Sequence, residues 1–354
     1  MLKQFYNVIG VMSGTSLDGV DLAHIHFTIH NDIWGFKILE AETVGYSTEW
    51  FNKLKNAVQF SENELIILNE DYTKLLAEVI TKFISENNIK NLDAVCSHGH
   101  TILHQPQNGF TLQIGNLSEI AKIIGQKVVC DFRVQDVQLG GQGAPLVPIG
   151  DQILFSEYDY CLNLGGFSNV SFAENNLRIA FDISPVNTVL NFYANQMNLD
   201  YDDKGLIAKS GNLSQPLLYE LNGLSFYSKP YPKSLGFEFV KETIIPLIEK
   251  HQISRADKMH TFTIHVAFQI AEALSKKKAK LLITGGGAYN DFLIEEIQKY
   301  LPEMEIIIPN KKVLEFKEAL IFALLGVLKL RGEINVLTSV TGAERDHSSG
   351  NVFT

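Results

Sequence analysis

The chain has 354 residues, 45% hydrophobic and 20% charged, a globular composition long enough for two domains. Lys plus Arg is 30 against 40 Asp plus Glu, a formal net charge of -10 with no dense basic stripe, which argues against nucleic-acid binding. The longest strongly apolar run, 319–328, is too short to span a membrane. The N-terminus lacks a basic region, a long apolar core and a small-residue cleavage site, so neither a span nor a signal peptide is expected.

Val8 to Ala23 reads VIGVMSGTSLDGVDLA: an apolar run, a tight polar Gly-rich segment, and a second alternating run to Phe27. That pattern predicts two strands joined by a turn. Consecutive N–H groups in such a turn can bind an anion, Thr15 and Ser16 add hydroxyls, and Asp18 could hold a hydrated Mg²⁺ beside a phosphate. An ordinary polar hairpin turn fits the same letters. GxxxxGK[ST] is absent.

A third strand is expected near 36–42, and Glu62 to Glu86 keeps helical spacing. Leu92 to Ser97 reads as a short buried strand followed by His98-Gly99-His100-Thr101. Further strands are expected at 110–115 and 127–132, with a helix at 120–125 between them. Cys96, Cys130 and Cys161 are odd in number, irregular in spacing and set in apolar runs. This predicts buried, reduced thiols in a cytoplasmic protein.

Gly140-Gly141-Gln142-Gly143-Ala144-Pro145 breaks all periodicity and is the expected domain boundary or hinge. The opening pattern then returns, with strands at 158–164 and 170–173 around Gly165-Gly166-Phe167-Ser168-Asn169. An apolar strand ending in Asp occurs in each half, at Asp131 and Asp182. A helix is expected over 184–197 with Pro185 near its start, and amphipathic helices over 237–249 and 260–276, the latter closed by Lys276-Lys277-Lys278. Strand 279–284 leads into Gly285-Gly286-Gly287-Ala288-Tyr289-Asn290 and a helix from Asp291, a turn that can hold an adenosine or merely supply positive φ. A strand at 305–309, a buried helix at 318–330 and a loop-like tail complete the chain.

SGTSLDGVD, GGQGAPLVP, NLGGFSN, ITGGGAYN and SVTGA, in this order, resemble the 1,6-anhydro-N-acetylmuramic acid kinase family of the sugar kinase/heat-shock/actin superfamily. The resemblance implies an α/β fold of two actin-like, ribonuclease H-like domains, 1–135 with about 332–354 and 136–331, around a nucleotide cleft. It implies that ATP phosphorylates the sugar's 6-oxygen while water opens the anhydro bond, in cell-wall recycling. Asp182 matches the family's catalytic Asp; without that resemblance it reads first as a strand-end turn or N-cap residue. Gly14, Thr15, Ser16, Leu17, Asp18, Gly19 and Asp21 are the implied phosphate cradle. Gly165, Gly166, Gly285, Gly286, Gly287 and Asn290 complete the nucleotide site, with Asp18 on Mg²⁺ through water. His98, Thr101, Arg133 and Glu318 are the implied sugar contacts, Arg133 for the lactyl carboxylate. The implied partners are ATP, a small sugar and a second copy of the chain.

The match departs after Asp182, where Ile183, Ser184 and Val186 replace the family's Thr and two Gly. It departs at His100, usually Gln; at Ile149-Gly150; and in Lys233-Ser234-Leu235-Gly236-Phe237-Glu238, which lacks an Arg. Other readings are a kinase of this fold for a different sugar, a nucleotide-gated actin- or chaperone-type binder, and a metal hydrolase using His98, His100 and His104.

Overall fold

The computed structural model describes residues 3–14 and 16–354, so Thr15 of the expected cradle lies outside the described residues. Its strands, in chain order, are β1 (Phe5–Ser13), β2 (Val20–His30), β3 (Ile33–Val44), β4 (Ala94–Gln105), β5 (Phe110–Ile114), β6 (Val128–Cys130), β7 (Tyr160–Leu164), β8 (Phe167–Glu174), β9 (Leu177–Pro185), β10 (Lys280–Thr284), β11 (Glu305–Ile307) and β12 (Asn351–Phe353).

Two sheets form. One has the order β12-β6-β4-β1-β2-β3, with β5 added to β4; the other has the order β11-β10-β7-β8-β9. In each, an antiparallel three-strand meander (β1-β2-β3 or β7-β8-β9) is extended by parallel strands from its first member. The recurring Gly-turn hairpin thus reports a recurring topology, β3-β2-β1-β4-β6 and β9-β8-β7-β10-β11. This is the two-sheet α/β fold expected.

Local chemistry explains the elements around the first sheet. The Glu62–Glu86 helix starts at a capping box, Ser61 with Glu64, and buries Leu65, Leu68, Tyr72, Leu76, Ile80 and Phe83 on one face. These pack with Ile9, Val11, Leu22 and Val95. Each fully buried Leu or Phe contributes roughly 1.5–3 kcal/mol. On the opposite face Gly10 lies against the main chain of Ala319, and Cys96 against Gly326, of the Lys311–Arg331 helix. All three cysteines are buried and none is in a disulfide. No helix among the described residues is long and apolar enough to cross a membrane.

The chain divides into two compact units, Met1–Leu154 with Phe316–Thr354, and Phe155–Glu315. These breaks differ from the expected 135/136 and about 331/332. The Gly140–Pro145 segment is tied down, because Gly143 N–H donates to the buried Asp136 carboxylate (2.6 Å) and Gln142 N–H to Thr341 O (2.8 Å). The Val147–Leu154 helix is joined to Lys317 through Asp151, 2.7 Å away. The Lys311–Arg331 helix departs from helical geometry at Phe316, where the second unit ends and the first resumes.

Smaller expectations shift. The histidine segment lies inside β4 rather than after it. Pro185 ends β9, and the helix starts at Asn187. Helix 255–273 ends before Lys276, which instead meets Asp159 at 2.7 Å, and the tail contains β12.

Candidate functional site

In the first unit, β1 and β2 pair as far as Met12 opposite Asp21, and Gly14 and residues 16–19 are the described residues between the two strands. Ser16 Oγ donates to Asp18 Oδ1 (2.8 Å), Leu17 adopts φ +60°, and the Ser16 and Asp18 side chains are exposed. Asp21 is anchored in the sheet by Thr43 Oγ1 at 2.5 Å.

The strand beside this turn carries a defect. Val11 pairs with Ser97, but Ser13 pairs with His100, so β4 has one residue more than β1. This is a β-bulge, a device that re-aims side chains. Gly99 makes it with φ +73°; a Cβ there would lie 2.5 Å from Ile114 O. As a result the two histidines serve opposite faces. The His98 ring sits 4.6 Å from Phe322 of the Lys311–Arg331 helix, whereas His100 sits 5.8 Å from Tyr72 of the Glu62–Glu86 helix.

His98 is buried and both ring nitrogens are engaged. Nδ1–H donates to Gly99 O (2.9 Å), and Nε2 accepts from Arg133 Nε (2.8 Å). Burial, then the Arg133 charge, hold its pKa well below the usual histidine value, which keeps Nε2 an acceptor. His98 therefore orients Arg133 rather than offering its own polar atoms to a ligand. Arg133 Nη1 donates to Gly143 O (2.6 Å), and burial lowers its pKa to about 10 against the pull of Glu318 and Asp136. With these two anchors set, the remaining Nη protons suit a carboxylate.

Glu318 follows the kink at Phe316. It reaches solvent, yet the protein around it displaces enough water to hold its carboxyl above the usual range, while Arg133 and Lys317 pull it down. Thr101 bonds Gln113 on β5 (3.4 Å) and has no hydrogen bond to the Arg133 group among the described residues.

The second unit holds Asp182 inside β9, opposite Asn169 of β8, rather than at a strand end, and it caps no helix. The loop after Pro232 clasps it: Leu235 N–H donates to Oδ2 (2.8 Å), and Asp182 N–H donates to Lys233 O (3.1 Å). Burial raises its pKa, with the Leu235 N–H opposing. Leu235 N–H is the one hydrogen bond found to the Asp182 carboxylate among the described residues, and it goes to Oδ2.

The Gly165–Gly166 and Gly285–Gly287 turns follow β7 and β10, which pair in parallel up to Asn163 opposite Thr284. Gly285 has φ +85° and ψ 165°, a region open in practice to glycine alone, and a Cβ would sit 2.6 Å from Asn163 Oδ1. Gly165 and Gly166 carbonyls accept N–H groups of residues 186–188. Asn290 is partly committed elsewhere: its Oδ1 caps the Asp291–Tyr300 helix through Leu293 N–H (3.0 Å).

Sequence reasoning missed Asp136, fully buried, whose carboxylate accepts Gly143 N–H and Thr341 Oγ1 (2.7 Å) and so shapes the loop that holds Arg133. The available signal was a lone acidic residue seven positions before a glycine inside GGQGAP. The metal-hydrolase alternative finds no support: among the described residues no group of three His, Cys, Asp or Glu could hold a metal ion.

The family model for anhydro-N-acetylmuramic acid kinase matches residues 6–354. A protein of that name from Mannheimia succiniciproducens is 34% identical, covering 100% of both chains. Another from Sulfurimonas denitrificans is 32% identical over 99% of this chain and 100% of its own. Among solved structures, component A of (R)-2-hydroxyglutaryl-CoA dehydratase from Acidaminococcus fermentans is 14% identical with TM-score 0.47, covering 92% of this chain and 99% of its own. With a family match over nearly its whole length and full-length relatives above 30% identity, the chain belongs to the anhydro-N-acetylmuramic acid kinase family.

Proposed function

We propose that the protein uses ATP to phosphorylate the 6-oxygen of 1,6-anhydro-N-acetylmuramic acid while water opens the anhydro ring, giving N-acetylmuramic acid 6-phosphate and ADP. The observation that carries the mechanism is Asp182. Its carboxylate is partly withdrawn from water, its pKa is raised, and one oxygen is held by Leu235 N–H. A general base should have a pKa nearer the working pH than an exposed carboxylate has, and burial supplies that.

In the reaction, the Asp182 carboxylate takes a proton from water as the water oxygen bonds to the anomeric carbon. The bond from that carbon to O6 breaks, its electron pair stays on O6, and O6 takes the γ-phosphoryl group as ADP leaves. No separate acid is needed because the leaving oxygen is captured by phosphorus. Arg133, oriented by His98 and Gly143, binds the lactyl carboxylate, and Glu318 and Thr101 take sugar polar groups.

Phosphoryl transfer itself is positioning and charge neutralisation. The turn with Gly14, Thr15, Ser16, Leu17, Asp18, Gly19 and Asp21 receives phosphates. In the second unit, Gly165, Gly166, Gly285, Gly286, Gly287 and Asn290 are nucleotide contacts. One exposed carboxylate, Asp18, suits Mg²⁺ held mainly by phosphate oxygens and water; a closed protein cage is not required. The bound ion would neutralise charge on the phosphates. We place the enzyme in the cytoplasm, as a homodimer.

The test is ADP release with Mg²⁺-ATP, with and without the anhydro sugar, with mass analysis of the product. A sugar-dependent product heavier by one phosphoryl group plus one water supports the reading. ATP binding without turnover on this sugar, but turnover on another, refutes the substrate.

A further inference from the structure

Four polar side chains of the first unit form a hydrogen-bonded chain that none of the roles above uses. Tyr72 OH is 2.6 Å from Tyr46 OH, Tyr46 OH is 2.6 Å from Ser13 Oγ, and Ser13 Oγ is 2.7 Å from His100 Nδ1. Ser13, Tyr72 and His100 are all buried. Counted from Tyr72, every hydroxyl proton meets an acceptor and the last meets His100 Nδ1. That order needs Nδ1 free of a proton, the neutral imidazole carrying its hydrogen on Nε2. Burial favours the same state, lowering the His100 pKa to about 4.

The placement of this chain is informative. Ser13 is the last residue of β1 and the covalent neighbour of Gly14, so whatever holds its side chain helps set where the turn leaves the sheet. Val44, just before the Gly45–Tyr46 segment, packs against the same turn, since a Cβ on Gly19 would lie 2.5 Å from Val44 O. His100 reaches Ser13 because the bulge at Gly99 turns it to this face. An apolar side chain could fill this space without desolvating polar groups. What a buried hydrogen-bonded chain adds is one specified geometry.

We infer that His100, acting through Ser13 and the Tyr46–Tyr72 pair, is a positioning residue that fixes the base of the 14–19 turn for the nucleotide's phosphates. The inference rests on the reading of that turn as the phosphate cradle. The HGH segment then has two jobs divided by one bulge: His98 orients Arg133, and His100 orients the turn.

The experiment is calorimetric titration with a non-hydrolysable ATP analogue plus Mg²⁺, and separately with adenosine. The proteins are the wild type, Ser13→Ala, His100→Leu, their double variant, His100→Gln and Asp18→Ala. Loss of one buried hydrogen bond predicts triphosphate affinity about tenfold weaker in Ser13→Ala and His100→Leu. The double variant loses no more than either single variant. Adenosine affinity stays unchanged, and His100→Gln, whose Oε1 can accept the Ser13 proton, recovers most of the loss. Wild-type triphosphate affinity in Ser13→Ala and His100→Leu, with Asp18→Ala weakened, overturns the inference and leaves the cradle intact. Wild-type affinity in Asp18→Ala as well overturns both. Should His100→Leu fail to fold, Ser13→Ala, which removes one oxygen, decides the matter alone.

Discussion

Replacing Asp136 with Asn probes the loop that presents Arg133. The Asp136 carboxylate is fully buried and accepts Gly143 N–H at 2.6 Å and Thr341 Oγ1 at 2.7 Å, with His347 Nε2 3.6 Å from Oδ1. Asn keeps one acceptor and turns its amide N–H₂ toward the other donor. One charge-assisted hydrogen bond, worth about 1.5–3 kcal/mol, is lost, and one buried donor is left unsatisfied at about 1–3 kcal/mol. Allowing for relaxation, unfolding in urea should show the variant less stable by about 3 kcal/mol. The function should change selectively. As the 140–145 loop loosens, Gly143 O no longer pins Arg133 Nη1, so KM for the sugar should rise about tenfold while KM for ATP stays put. Stability within about 0.5 kcal/mol of wild type together with an unchanged sugar KM would refute the claim that this carboxylate builds the Arg133 site.

Further outcomes follow from the same geometry. Asp182→Asn should abolish sugar-dependent ADP release with nucleotide affinity largely kept; a fully active variant removes Asp182 from catalysis. Because burial raises the Asp182 pKa, the base is lost as pH falls through a value above the ordinary Asp range near about 3.9, and the acid limb of the rate profile should lie correspondingly high. The sign for stability is opposite: the raised folded pKa favours the protonated fold, a contribution present below the unfolded value and lost as pH rises through the folded one. An acid limb at the ordinary carboxylate value would count against this environment. Gly99→Ala places a side chain at φ +73° with its Cβ 2.5 Å from Ile114 O, so it should cost about 1–3 kcal/mol and raise the KM values of sugar and ATP together, since both histidines depend on the bulge. A change in only one KM would separate them. Gly285→Ala should weaken adenosine binding and lower the thermal midpoint, from strain of about 1–3 kcal/mol, and an unaffected adenosine Kd would take this turn out of the nucleotide site.

What the sequence determined is local or periodic. The alternation around SGTSLDG, the helical spacing of Glu62 to Glu86 and the glycine turns after β7 and β10 fixed where the elements lie, because side-chain period and φ preference act over a few residues. The second Gly-turn hairpin suggested a repeat, and motif resemblance pointed to Asp182 and Arg133. Tertiary structure decided what those letters do. GGQGAP looked like a boundary, yet it is pinned by Asp136 and by Thr341, 205 positions from Asp136 along the chain. HGHT looked like residues trailing a strand, yet it lies inside β4, which bulges at Gly99 against β1 and pairs with β5 from His100 onward. Asn290 looked like a ligand contact and is partly a helix cap. Sequence patterns carry the preferences of single residues and near neighbours. Which buried donor meets which acceptor is settled only when distant strands and loops are packed together and each polar group must find a partner away from water.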